Sequence, residues 1–214
     1  MIKAVLFDFD NTIIETEESR FFSINEVLRE FGLILTREDW NSKYRRENSK
    51  PIFQKIFEEA GKQVDYNSLY ERSVVLRRRY FNERAISIIP GFGDFFDFLQ
   101  KRDIKVIIVS GGTREHIEFL LKKTGLYGIK YLGREDYGEV KPSPKCYLKA
   151  LEKLYVNGSE AVVFDDSYNG MKAGIDAGCR VIGINCEDEI GVDELDLFMR
   201  VKDYRDLDYE EVLR

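Results

Sequence analysis

The 214-residue chain contains a single histidine, His116, and only three cysteines, Cys146, Cys179 and Cys186. One histidine excludes any mechanism built on paired histidines and any histidine-rich metal site. Three cysteines, odd in number and without metal-type spacing, read as reduced thiols rather than a disulfide framework. No apolar run is long enough to span a membrane. Met1-Ile2-Lys3 leads straight into an apolar stretch, unlike a signal peptide, so a cytoplasmic location is expected. Lys and Arg number 33 against 39 Asp and Glu, and the net charge of −6 speaks against nucleic acid as a partner. What is present is 43% hydrophobic and 34% charged residues, over a length that suits one α/β domain with a smaller inserted or appended unit.

The first dozen residues organise the rest. Ile2, Ala4, Val5, Leu6 and Phe7 form a short apolar run without helical periodicity, as in a strand buried on both faces of a parallel sheet. The run ends in Asp8-Phe9-Asp10-Asn11-Thr12, at the end of a strand where open α/β sheets place their ligands. From residue 15 to 88 the pattern is helical. One amphipathic helix over Glu17 to Phe31 closes at Gly32, and a second starts at Thr36. Pro51 opens a third, and Asp65 to Arg84 make a fourth with Leu69, Val75, Leu76 and Phe81 turned inward. After the connector from Ile86 to Gly91, strands at 104–109, 129–132, 161–164 and 180–184 alternate with helices. A short strand at 197–201 and a turn of helix near Glu210 complete the chain. The expected fold is α/β: a Rossmann-like parallel sheet flanked by helices (1–14 and 89–214), with an inserted α-helical domain over 15–88.

The chemistry sits at the strand ends. Ser110-Gly111-Gly112 follows the second strand and precedes a helix. A hydroxyl and glycine N–H groups there make an anion cradle, although an ordinary glycine turn has the same pattern. Lys141 stands just ahead of a helix entry stiffened by Pro142 and Pro144. Asp165-Asp166-Ser167 ends a later strand, where the acids also suit helix capping. On this topology Asp8, Asp10, Asp165 and Asp166 converge on one rim. Two unit charges ~4 Å apart cost about 4 kcal/mol at the effective dielectric near a protein surface. Such crowding calls for a cation. A small hard ion with oxygen ligands, partly hydrated and shared with phosphate, fits Mg²⁺. With Lys141 and the Ser110 loop, the set describes a phosphate site with a metal.

Taken in order, Asp-x-Asp-x-Thr, the Ser after strand two, the Lys before a helix and the late acidic pair resemble the haloacid dehalogenase (HAD) superfamily across essentially the whole chain. The helical block resembles that family's inserted cap. The run Asp165-Asp166-Ser167 through Gly170-Met171, Ala173 and Gly174 is similar to the phosphoglycolate-phosphatase and β-phosphoglucomutase branch. The resemblance implies that Asp8 is the nucleophile, forming an aspartyl-phosphate, and that Asp10 is the acid and base. It implies Mg²⁺ held by Asp8, the Asp10 carbonyl and Asp166, with Asp165 ligating directly or through water. Ser110, Gly111 and Lys141 would bind the phosphoryl group, and Thr12 would orient the loop.

True dehalogenases of this superfamily lack the second aspartate, so Asp10 favours phosphate chemistry. Mutases of the branch carry a histidine early in the cap, where this chain reads Thr16-Glu17-Glu18-Ser19-Arg20. Hydrolysis of a small phosphorylated metabolite is therefore expected over phosphoryl return, by a monomer or homodimer. Ser110-Gly111-Gly112 looks closer to the phosphoserine-phosphatase branch, which leaves the substrate open. Arg45 and Lys50, in the polar segment 44–50, are candidates for an anionic substrate tail, and a solvated loop accounts for them equally. His116 reads as a helix-surface residue rather than a catalytic one. A receiver-type signalling domain would carry its acidic pair and phosphoacceptor in the reverse order. A phosphate-binding protein without turnover would have no use for Asp10.

Overall fold

Ala4–Phe7 (β1) places four consecutive side chains in the interior, so it needs partners on both edges and cover on both faces. In the computed structural model, which describes residues 1–45, 47, 49–187 and 189–214, it has both. The other strands are Lys105–Val109 (β2), Lys130–Leu132 (β3), Ala161–Asp165 (β4), Arg180–Ile184 (β5) and Met199–Val201 (β6). All five pairings are parallel, in the order β3-β2-β1-β4-β5-β6. Phe7 lies opposite Ile108 on one side and Phe164 on the other, so β1, β2 and β4 end nearly level. The chain leaves β1 in one direction and later returns on its other side. That makes β1/β4 the switch point, where such sheets open a crevice.

The chain divides into two units, one of residues Met1–Glu15 and Ser87–Arg214, the other of Thr16–Ile86. The second contains Glu17–Arg29 (α1), Arg37–Asp39 (α2) running on into a π-helical turn at Trp40–Tyr44, Ser49–Glu59 (α3) and Tyr66–Glu83 (α4). Thr36 and Asp65 cap α2 and α4 by accepting the N–H groups of Asp39 and Asn67. Ile24, Val27, Leu28, Trp40, Ile52, Phe53, Phe57 and Leu69 form this unit's own core. Two expectations are corrected. α3 starts two residues before Pro51, which is tolerated because first-turn N–H groups have no intrahelical partner. Val75 is 68% exposed: the buried side of α4 carries Leu69, Ser73 and Phe81 at helical spacing, and Val75 falls off that face.

The sheet unit is covered by Phe92–Lys101 (α5), Arg114–Thr124 (α6), Lys145–Leu154 (α7), Tyr168–Asp176 (α8) and the short Tyr209–Val212 (α9). On one face Phe7 stacks on Phe164, centroids 5.2 Å apart, and meets Phe92, Phe95 and Tyr204 edge-on. On the other, Ala4, Leu6 and Val163 join Tyr147, Leu151 and Leu154 of α7 and Met171 of α8 in one cluster. The segments flanking the insertion lie side by side. Ile14 bridges Ile88, and Ile89 N–H donates to the Ile13 carbonyl at 2.8 Å. The insertion therefore leaves and re-enters through one paired stem, without breaking the sheet. Among the described residues no helix is long and apolar enough to cross a membrane.

Candidate active site

Asp8 follows β1 directly, and its N–H donates to the Phe164 carbonyl at 2.8 Å, extending the ladder one residue into the rim. The chain then turns sharply. Both Ile13 and Ile14 N–H donate to the Phe9 carbonyl, and Asn11 takes φ +57°, a left-handed conformation that Asn tolerates better than most residues. Two distant residues pin this loop by its carbonyls: Asn185 Nδ2 donates to Asn11 at 3.2 Å, and the Tyr204 hydroxyl to Thr12 at 2.9 Å. Thr12 is fully buried, its Oγ1 3.5 Å from Asp166 Oδ1. Asp8 and Asp10 are thus carried on a fixed turn.

Lys141 joins the two acidic motifs. Its Nζ donates to Asp8 Oδ1 at 2.6 Å and to Asp165 Oδ2 at 2.8 Å, and it lies 4.9 Å from the centroid of the Tyr147 ring. Asp165 is wholly buried and fully engaged. Its Oδ2 also accepts the Tyr147 hydroxyl at 2.6 Å, while Oδ1 accepts the Ser167 N–H at 3.0 Å and hydroxyl at 2.8 Å. Four donors fill the acceptor capacity of a carboxylate. Gly170 leaves room for this arrangement, since a Cβ there would lie 1.8 Å from Asp165 Oδ2.

The charges do not balance. Burial pushes the Asp8 carboxyl from 3.8 up to about 7; Lys141 opposes this, and Asp165 and Asp10 add to it. Asp166 is also held well above the ordinary carboxylate range, by burial first and then by the charges of Asp8 and Asp165. Burial works against the Lys141 ammonium, yet Asp165 and Asp8 more than compensate and keep it protonated. One lysine therefore serves several acids, and Asp8 and Asp166 stay short of positive charge.

Beside Asp8, the Ser110 N–H continues β2's pairing to the Leu132 carbonyl at 3.0 Å, and Tyr137 donates to the Ser110 carbonyl at 2.8 Å. Ser110 Oγ accepts the Gly112 N–H at 2.9 Å, a bond that does not use its own hydroxyl proton. Gly111 is exposed, with open space where a Cβ would stand. Thr113 caps α6 through the His116 N–H at 3.1 Å. His116 departs from expectation: it is half-buried, and its Nε2 lies 3.2 Å from Asp10 Oδ1.

A family model described as haloacid dehalogenase-like hydrolase matches residues 2–178. The chain belongs to this family. YhcW of Bacillus subtilis is 30% identical over 186 residues, covering 85% of this chain and 83% of its own. CbbY of Rhodobacter capsulatus is 26% identical over 192 residues, covering 85% and 84%. The solved structure of CbbY from Rhodobacter sphaeroides in complex with phosphate has a TM-score of 0.81 at 22% identity and covers 97% of both chains. At that identity it speaks for the fold.

This hydrolase brings Asp8, Lys141 and Asp165 into one bonded network, with Thr12 and Asp166 adjoining. Among the described residues no three His, Cys, Asp or Glu side chains are already gathered as a metal cluster. The reason is local, because Asp165 is turned into the Lys141–Tyr147–Ser167 network and Asp10 Oδ1 faces His116. In the helical unit, Arg45 Nε lies 3.4 Å from Glu17 Oε1, while Lys50 is exposed in the first turn of α3. Arg46 and Asn48, from the same polar segment, lie outside the described residues. Sequence reasoning missed Tyr147, Tyr204, Asn185 and His116. For His116 a signal existed, since it stands in the first turn of the helix that follows the Ser110 loop.

Proposed function

We propose that the chain is a Mg²⁺-dependent phosphatase that hydrolyses a small phosphomonoester through an aspartyl-phosphate on Asp8. The observation that carries the proposal is the buried Lys141 bridge between Asp8 and Asp165, beside an Asp166 that burial and its neighbours hold above the normal range. A buried nucleophile paired to one lysine, at the switch point of the sheet, suits in-line attack on a phosphoryl group.

Two carboxylates and a backbone carbonyl suit Mg²⁺, which keeps several waters and is bound through one or two carboxylates plus substrate phosphate. The ligands in this reading are Asp8, Asp166 and the Asp10 carbonyl. Asp165, whose oxygens are already engaged, anchors Lys141 instead. When bound, the ion supplies the positive charge that lets Asp8 and Asp166 ionise and offsets charge on the phosphoryl oxygens.

Asp8 attacks phosphorus as the bond to the leaving oxygen breaks, and Asp10 gives that oxygen its proton. A water then attacks the phosphoryl-aspartate, Asp10 takes up the water's proton, and phosphate leaves with Asp8 restored. Lys141, Ser110 and the Gly111 loop hold the phosphoryl oxygens throughout, and Thr12 steadies the loop that carries both aspartates. Substrate choice is assigned to the helical insert, with Arg45 and Lys50 as its candidate contacts for an anionic substrate group.

The test is phosphate release from p-nitrophenyl phosphate and a panel of phosphorylated metabolites, with and without chelator. Turnover that chelator abolishes and Mg²⁺ restores is expected. Turnover indifferent to chelator, or none on any phosphomonoester, removes the proposal.

A further inference from the structure

His116 is the chain's sole histidine, and it stands beside Asp10. Its position is built. Thr113 fixes the first turn of α6 through the His116 N–H, and the imidazole meets the buried Phe9 ring edge-on, centroids 6.5 Å apart. Phe9 lies between the two aspartates in the chain, so the residue that spaces them also braces the histidine. Gly112 leaves the ring its space: a Cβ there would stand 3.0 Å from His116 Cδ2 and 3.2 Å from Ser110 Oγ. The same Cβ would be 3.8 Å from Asp10 Oδ2, so that oxygen faces the Ser110–Gly112 loop while Oδ1 faces the imidazole.

The geometry points to His116 as a positioning residue that sets the orientation of the Asp10 carboxyl. Against an ionised Asp10, which can only accept, Nε2 carries the hydrogen and donates to Oδ1, whether the ring is neutral or charged. With Oδ1 held, Oδ2 is the oxygen that releases a proton to the leaving group and recovers one from water. This inference rests on the reading of Asp10 as the acid and base. A carboxyl that has lost this hold would spend less time aligned, and misplacement of a catalytic group by about 1 Å costs up to about 10²-fold.

The experiment compares kcat/KM on two probes. p-Nitrophenyl phosphate releases a stabilised anion that needs little protonation, whereas phenyl phosphate releases a far more basic one. His116→Phe keeps the ring against Phe9 and removes the N–H. It is expected to lower kcat/KM for phenyl phosphate by roughly 10- to 100-fold and for p-nitrophenyl phosphate by less than about threefold. His116→Gln, which retains an N–H donor, should recover most of the loss.

Asp10→Asn is the reference. It should show the same selectivity for the basic leaving group, more strongly. If Asp10→Asn lowers both substrates equally, the acid assignment itself fails. If Asp10→Asn is selective while His116→Phe lowers both substrates equally or neither, the positioning role is overturned. Should His116→Phe fail to fold, His116→Leu decides by the same criterion.

Discussion

The two units treat charge in opposite ways. In the helical unit exposed ion pairs such as Arg29–Glu26 at 2.5 Å and Arg37–Glu18 at 2.7 Å match one acid to one base, and the partly buried Glu17 has two bases, Arg20 and Arg45. At the rim of the sheet, Asp8, Asp165 and Lys141 are drawn inside, and one ammonium faces more than one carboxylate. Exposed pairs are balanced and contribute little, typically 0–1 kcal/mol. The buried set is out of balance, and folding alone would not favour it. A residual negative charge held away from water is what a site for a cation and a phosphoryl group requires.

The largest effect should come from Asp8→Asn, which removes the nucleophile and relieves the imbalance. Turnover is expected to fall on the order of 10⁴-fold or more, while the melting temperature holds or rises. Phosphate release and thermal unfolding measure the two. Lys141→Met worsens the imbalance instead. It should cost about 3–5 kcal/mol by leaving buried carboxylates without their partner, and should lower turnover at least about 10²-fold. A stable, active Lys141→Met protein would undo the contrast between the units.

Metal should correct what Lys141 leaves over. A carboxyl whose folded pKa is raised keeps its proton in the folded chain after the unfolded chain has lost it. For Asp8 the metal-free protein should therefore lose stability as pH rises from 3.8, levelling off above about 7. Mg²⁺ at a hundred times its Kd should add roughly 2.7 kcal/mol. Melting curves with Mg²⁺ or chelator should separate further at pH 8 than at pH 5. The smallest effect belongs to the surface: Arg29→Ala should change stability by no more than about 0.5 kcal/mol and leave turnover unchanged.

Much of this was legible in the residues. Buried strands such as Ala4–Phe7 and Arg180–Ile184 announce themselves as short apolar runs, and Asp8, Ser110 and the Asp165–Asp166 pair each stand at the end of such a run, while Lys141 stands ahead of a helix. The helix start at Thr36 was equally local. What escaped was brought in by packing. Tyr147 reaches Asp165 from α7, Tyr204 reaches Thr12 across 192 residues, and Asn185 reaches Asn11 across 174. In sequence each is an ordinary aromatic or amide. His116 escaped because a polar residue on an amphipathic helix usually faces water, whereas a first turn that starts at the rim points its side chains back towards it. Asp165 and Asp166 look equivalent in the sequence, and only the positions of Gly170 and Lys141 show that Asp165 is the one bonded to the lysine.

The most direct measurement uses Asp10→Asn, which should form the covalent intermediate from p-nitrophenyl phosphate yet hydrolyse it slowly. Rapid acid quench, intact mass and fragmentation should find a burst of one p-nitrophenol per site and one phosphoryl group on Asp8. A protein that turns over without any covalent phosphoryl group, or carries it on another residue, would contradict the account.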